Sequence, residues 1–299
     1  MSFYPGAVDY QDGKITIDQA LEQPETIEQR IAEIAKGNQL LDTLFTQHSA
    51  PVTGGAVFYS PVTKAHLYTA EDVADRNPGD EYPVLYSTRP EMQVARVQDF
   101  GGKFAVTDEA RRRNLTVDFD NDVTALTNTI TRKINQRAVE TITAAVQGSE
   151  DVFEIASSEP WTQMQAQGNP ANLTDPFALP SASFADIFAN AAEQDLGVEF
   201  DHLIVTPKDY SALRIMYGTD LKPMLDDYNL TAVVSNHVPA GQAYLVDAGE
   251  VGFVNYEESL TVTTWRDEHH RQTWVQGFCM PVMGVTKPSA IAVITGTTE

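Results

Sequence analysis

DFDNDVTALTNTITRKINQRAVETITAAVQG, residues 118–148, is the stretch on which the fold turns. Phe119, Val123, Leu126, Ile130, Ile134, Ala138, Ile142 and Ala145 recur every three or four residues, so one apolar stripe runs down a single long helix. Asp118, Asp120, Asn121 and Asp122 crowd its start, where cap acceptors and negative charge suit the helix dipole. Arg132, Lys133 and Arg137 come later, and Gly148 is a natural stop. Neither Gly nor Pro interrupts residues 118–147, which as a helix span roughly 40 Å, about three times the usual length. So long a rod with one narrow stripe predicts a spine across which other elements are laid.

The totals agree with a globular chain. Of 299 residues, 42% are hydrophobic and 9% aromatic, enough for one large core or two modest ones. Lysine and arginine number 20 against 42 acids, a net charge of −22. Such a surface repels nucleic acid, and no basic run is long enough to offset it. Cys279 is the single cysteine, flanked by Phe278 and Met280, and reads as a core thiol. The opening MSFYPGAVDY lacks the basic patch and apolar run of a signal peptide, and no stretch approaches the ~18 apolar residues of a membrane span. The expectation is a cytoplasm-like compartment and no contact with membrane.

Ahead of the spine the chain changes character twice. Residues 1–50 form an arm: a helix from Pro24 with Ile27, Ile31 and Ile34 on one face, then Leu40, Leu41, Leu44 and Phe45. Two short amphipathic helices need a surface, which is either the chain's own core or a neighbouring copy. Residues 51–92 read as a long two-stranded ribbon through AVFYS, KAHLYT, YPVLYS and MQVARV, with Pro61, Pro83 and Pro90 confining the strands to edges. An acidic patch (Glu71, Asp72, Asp75) leads to a turn at Asn77, Pro78, Gly79, Asp80 and Glu81. The ribbon is read as having little apolar surface of its own, and a lone ribbon is marginal in water, so it must lie on this chain or on the next. GGKFAVTDE then predicts a short strand entering a short helix through Arg111, Arg112 and Arg113, the most basic spot in the chain. Salt bridges within an acidic protein are the favoured reading of that triplet, ahead of phosphate contact.

Beyond the spine, residues 149–182 look loop-rich, followed by a compact unit. A helix capped by Ser183 with Asp186 three residues on runs to Gly197. Strand HLIVT meets a helix opening at Pro207 and closing at Gly218. TAVVS, AYLVD, GFVNY, LTVTTW, a long run from Arg271 to Thr286 and AIAVIT read as strands, with Asp267 to His270 at a hairpin tip. Helices and strands in this order make an α+β protein.

The search for catalysis finds little. Nucleotide-binding, serine-hydrolase and zinc-protease motifs are all missing from the sequence. Asp118, Asp120 and Asp122 imitate the start of a calcium loop, but Val123 replaces the required Gly and Thr129 the bidentate Glu. His269 and His270 sit on a turn without an evident third ligand, so an exposed turn is the better reading. The expectation is no catalytic residue, no cofactor and no metal.

The order of parts is more specific than any motif, and its phrases are similar to those of one family. ITIDQALEQPETIEQRIAEIA, PVTGGAVFYS, DRNPGDEYPVL, GGKFAVTDEARRRN, LTNTITRKINQRAVETI, HLIVTPKDYSALR and YLVDAGEVGFVNYEESLTVTTWRD resemble the major capsid proteins of tailed bacteriophages, the HK97-like fold, in particular those of phages of actinobacteria. The resemblance covers nearly the whole chain. It implies an N-terminal arm at 1–50, an extended loop at 51–92, a peripheral domain at 93–150 and 256–299 with its spine at 118–147, and an axial domain at 151–255.

The resemblance further implies a structural subunit, not an enzyme, whose hexamers and pentamers tile an icosahedral shell around double-stranded DNA without sequence-specific contact. Assembly contacts are expected at Asn77 to Glu81, Lys64, Arg111 to Arg113, Ile27, Ile31 and Leu41. Phe119, Val123, Leu126, Ile130, Ile134 and Ile142 are expected in the core. Partners are other copies, with a separate scaffolding protein, a portal and a decoration protein as further candidates. The expected place is the virion, after assembly in the host cytoplasm. About fifty residues ahead of the ribbon match the arm, so no fused scaffold is expected. Lys64 lies away from the ribbon tip, which argues against covalent crosslinking and for an ordinary solvated or salt-bridging lysine. Three other readings compete: an encapsulin-type compartment of the same fold, an acidic metal-dependent enzyme, and a phage decoration or tail-tube protein, which does not need so long a spine.

Overall fold

The computed structural model describes residues 27–28, 39–47, 52–69, 71–86, 91–113 and 116–298. In chain order, α1 (Gln39–Leu44) runs into β1 (Phe45–Gln47), then β2 (Ala56–Tyr59), α2 (Lys64–Leu67), β3 (Gln93–Arg96), β4 (Phe100–Thr107) and α3 (Asp108–Arg112). The spine α4 (Thr116–Gly148) precedes β5 (Phe153–Ala156), α5 (Pro180–Gln194), β6 (His202–Val205), α6 (Pro207–Tyr217), α7 (Leu221–Asp227), β7 (Thr231–Val234) and β8 (Gln242–Val246). The chain ends in β9 (Gly252–Asp267), β10 (Gln272–Val285) and β11 (Ile291–Thr295).

At 33 residues the spine is about 50 Å long and begins two residues before the predicted start. Asp118 to Asp122 therefore sit within its first turns, not ahead of them as caps. Its two halves serve two sheets. Phe119 and Val123 pack with Val106, Val262 and Val275 of the four-stranded sheet, ordered β1-β9-β10-β4. Ala138, Val139 and Ile142 pack with Ile204, Tyr244, Val246 and Val293 of the five-stranded sheet, ordered β5-β11-β8-β6-β7. Ile130, between the two halves, is buried, whereas Leu126 and Ile134 are half-buried.

Close approach at the first sheet depends on absent side chains. Gly102 pairs with Gly277 across β4 and β10. A Cβ at Gly102 would lie 2.8 Å from Leu126 Cδ1, and one at Gly277 would lie 3.3 Å from Leu126 Cδ2. The two glycines leave the socket that Leu126 fills.

The five-stranded sheet is covered on both faces, which explains its continuous apolar runs. Leu203 and Val205 face one core with Leu245, Ala292 and Ile294. Between them Ile204 faces the spine side with Tyr244, Val246, Ile291 and Val293. The far face is closed by α5, α6 and α7 through Phe184, Ile187, Leu213, Met216, Leu221 and Leu225.

Several boundaries differ from expectation, each for a local reason. α5 starts at Pro180, whose missing N–H costs nothing in a first turn, so Ser183 lies inside the helix and does not cap it. GFVNY and LTVTTW belong to one 16-residue strand, β9. The polar Glu257-Glu258-Ser259 between them coincides with register shifts at Phe278–Pro281, where bulges bend the hairpin and accommodate Pro281 inside a paired strand. KAHLYT is not a strand: Lys64–Leu67 is a helical turn, with Thr63 and His66 forming a capping box. The domain division expected at 255/256 falls inside β9, and β11 beyond it lies between β5 and β8 of the five-stranded sheet.

Candidate assembly surface

β2 and β3 form a short antiparallel pair, Ala56↔Arg96 to Tyr59↔Gln93. Tyr59 donates to Gln93 Oε1 at 2.9 Å and meets Phe253 edge-on at 5.4 Å. Val52, Ala95, Phe253 and Val282 bury this base in the body. The first limb stays tied down for a few residues more: Val62 N–H donates to Thr286 O at 2.6 Å, Lys64 N–H to Asp151 Oδ2 at 3.1 Å, and the Tyr68 hydroxyl to Asp195 O at 2.5 Å. Among the described residues the ribbon is thus two-stranded only at its base.

Residues 71–86 are all exposed. Asp80 N–H donates to Asn77 O at 3.1 Å, closing a turn whose Gly79 adopts φ of 101°, a conformation costly for other residues. Arg76 donates to Asp80 O at 2.9 Å and lies 4.7 Å from the centroid of the Tyr82 ring, so the tip is braced by its own residues. Eleven of the sixteen large apolar side chains exposed among the described residues fall between Phe58 and Val94. Tyr82, Val84 and Tyr86 are each more than 60% exposed. Exposed apolar side chains gathered in one segment make it the candidate surface for assembly. Sequence reading placed the loop but gave it little apolar surface; YPVLY, with a proline barring it from a central strand, was the available signal.

The remaining expected contact residues are dispersed. Arg111 and Arg112 close α3, and Arg113 is its C-cap; Thr107 caps the other end by accepting from Ala110 N–H at 3.3 Å. The acids of that helix pair elsewhere: Arg266 chelates the Asp108 carboxylate, with Arg271 3.8 Å away, and Arg271 also reaches Glu109 at 4.0 Å. The Arg266 hydrogen bond holds the Asp108 carboxyl below its usual range. Ile27 is buried against Val106, Phe119 and Val123, and the Glu28 carboxylate accepts from Val262 N–H at 2.7 Å. Ile27 therefore belongs to the subunit's own core, which corrects its expected contact role. Leu40 and Leu44 are buried with the spine, Leu41 is half-buried, and Ile31 lies outside the described residues.

The histidine pair is a turn. His270 Nδ1 lies 2.8 Å from Asp267 Oδ2, and this hydrogen bond pulls the Asp267 carboxyl down to about 2. Among the described residues no group of three or more His, Cys, Asp or Glu is placed to hold a metal, and no helix is long and apolar enough to cross a membrane. Two exposed apolar side chains of the second unit went unpredicted: Phe177, 92% exposed on a turn capped by Asp175, and Ile215, 82% exposed on α6.

A family model described as phage capsid protein matches residues 91–294. No curated protein matches the chain. The chain is similar in structure to the capsid of cyanophage P-SCSP1u, with a TM-score of 0.61 and 12% identity over 99% of this chain and 92% of that one. It is similar to a chain of Mycobacterium phage Bobi, with a TM-score of 0.56 and 10% identity over 84% and 88%. The capsid of the myovirus XM1 gives a TM-score of 0.56 and 11% identity over 87% and 92%. At such identities the likeness is one of fold, an α+β architecture of the HK97-like kind.

Proposed function

The chain belongs to the phage capsid protein family, and from that premise we propose that its copies close an icosahedral shell as hexamers and pentamers around double-stranded DNA, each laying its extended loop over the next copy. It is a structural capsid subunit; its copies assemble with one another, and its place is the virion capsid. The family match does not favour an encapsulin-type compartment. Assembly in the host cytoplasm, with scaffold, portal and decoration proteins as separate chains, completes the proposal. No reaction is assigned to the chain.

The observation that carries the loop's role is the exposure of residues 71–86 together with the tyrosines and valines they present. Burying a large apolar side chain contributes roughly 1.5–3 kcal/mol, offset in part by the cost of ordering the loop. The loop therefore gains from a neighbour what its own body does not provide. The net charge of −22 fits the inner wall of a container that must not grip packed DNA. A division into arm, loop, peripheral and axial parts remains part of this proposal, with Phe177 and Ile215 as candidates for contacts around the capsomer axis.

Deleting Asn77–Glu81 tests it. The subunit should keep its thermal midpoint, since these residues touch none of the buried clusters, while light scattering and electron micrographs should show loss of closed shells. Shells of normal yield and shape from the deleted chain would remove the loop from assembly.

A further inference from the structure

We infer that residues 81–86 of one copy add as an extra strand to the outer edge of β4 in the next copy. This rests on the loop reading above and specifies its receptor. β4 is the end strand of the four-stranded sheet, and among the described residues no strand pairs with its outer edge. An unpaired edge is a template for another extended chain. Its eight residues, Phe100–Thr107, give room for Glu81–Tyr86, which are exposed and outside any strand of their own.

Beside that edge lies a groove of about 370 Å³ between β4 and the spine, with Leu126 and Ile130 as apolar wall and Arg132 and Lys133 at its side. Charge complementarity selects the occupant. Residues 71–86 carry Glu71, Asp72, Asp75, Asp80 and Glu81, and their one cation, Arg76, is engaged with Asp80 and Tyr82. Arg132 and Lys133 put positive charge at this groove on a chain of net charge −22.

Proline sets the register. Pro83 has no N–H, so in an added strand its backbone must face away from β4. Backbone groups alternate along a strand, so Tyr82, Val84 and Tyr86 direct theirs toward β4, and Glu81, Pro83 and Leu85 away. Side chains alternate as well. On one face of β4, Gly102 opens toward Leu126; on the other, the Lys103 ammonium lies 4.5 Å from the centroid of the Trp274 ring, which stacks on Trp265. Matching charge puts Glu81, Pro83 and Leu85 on the groove side, facing Arg132, Lys133 and the apolar wall. Tyr82, Val84 and Tyr86 then lie beside Lys103 and Trp274.

Two single prolines separate this arrangement from a loop that merely rests on its neighbour. Val84→Pro removes an N–H aimed at β4, and Leu85→Pro removes one aimed at solvent. Both positions lie outside the subunit's buried clusters, so both variants fold. Under conditions in which the unaltered chain forms shells, Val84→Pro should lower shell yield roughly tenfold, the effect of one lost ladder bond and its steric cost, while Leu85→Pro should assemble. In shells of a Val84→Cys, Lys103→Cys chain, oxidation should link neighbouring copies. Equal behaviour of the two prolines, or shells in which the cysteines never link, would overturn strand addition. If the Asn77–Glu81 deletion still blocks assembly, the loop's broader role survives that result; if the deletion also assembles normally, both fall.

Discussion

The spine helix and the loop of residues 71–86 treat apolar side chains in opposite ways. The spine hides Phe119, Val123, Ile130, Ala138 and Ile142 between two sheets of the same chain, all less than 9% exposed. The loop holds Val73, Tyr82, Val84 and Tyr86 in the open at 62–76% exposure. Composition does not separate them, since both carry apolar residues among acids. What differs is the availability of a partner. A helix satisfies its own backbone and needs only a surface for one stripe, whereas an extended segment needs a second strand for backbone and side chains alike. The subunit therefore buries its apolar side chains where it can complete itself and leaves them exposed where it cannot.

The sharpest way to break this comparison is to place the same charge in both regions. Ile130→Asp forces a carboxylate into a packed face at 4% exposure and should cost several kcal/mol, leaving insoluble or unassembled protein. Val73→Asp, at 76% exposure, should leave the subunit's thermal midpoint nearly unchanged, within about 0.5 kcal/mol. Circular-dichroism melts of the soluble fractions decide it. A cooperative melt of normal midpoint from Ile130→Asp would mean that the spine's core-facing stripe is wrongly phased.

A smaller effect is expected where the spine touches the sheet. Gly277→Val adds a branched side chain 3.3 Å from Leu126 Cδ2 and 3.6 Å from Ile130 Cδ1, which should cost about 1–3 kcal/mol through overpacking. Gly148, at the open end of the same helix, has nothing within 4 Å of its Cβ position. Gly148→Ala should therefore be tolerated, and chemical denaturation of the two variants compares the sites. Equal losses at the two sites would place the helix farther from the sheet than the Gly102–Gly277 socket requires.

Legibility in the sequence followed the same divide. The spine was readable because its period of three to four residues is a local property, and the long hairpin because alternation and turn residues are local too. β5, α7 and the extent of β9 were harder. β5 is four residues paired in parallel with β11, which lies nearly 140 positions on, so nothing nearby marks it. In β9 the bulge interrupts the alternation that would have joined its halves. The arm was ambiguous for a related reason: an amphipathic stripe does not say whose surface it covers, and only the structure puts Ile27 and Leu44 in this chain's own core. The loop's location was evident from Pro78-Gly79-Asp80, yet its apolar character was not, because exposure depends on the absence of a partner.

The mildest test uses the chain's own thiol as a gauge of how closed the core is. Cys279 is 1% exposed on β10, and burial pushes its thiol from 9.0 up to about 12. At pH 8 such a shift lowers the thiolate population roughly a thousand-fold, so a thiol reagent should label the native subunit only as fast as it opens. Tyr256, paired with Pro281 across the hairpin, is likewise held near 12 by burial. Both groups keep their protons more tightly folded than unfolded. Their contribution to stability is therefore complete below about pH 9 and is lost as pH rises toward 12. A single-cysteine labelling time course at pH 8, with a stability series across pH 8–12, measures both expectations. Labelling that is fast and complete in the native subunit, or stability that rises above pH 9, would show β10 to be open at its centre. That would erase the contrast between a closed body and an open loop from the side that looks more secure.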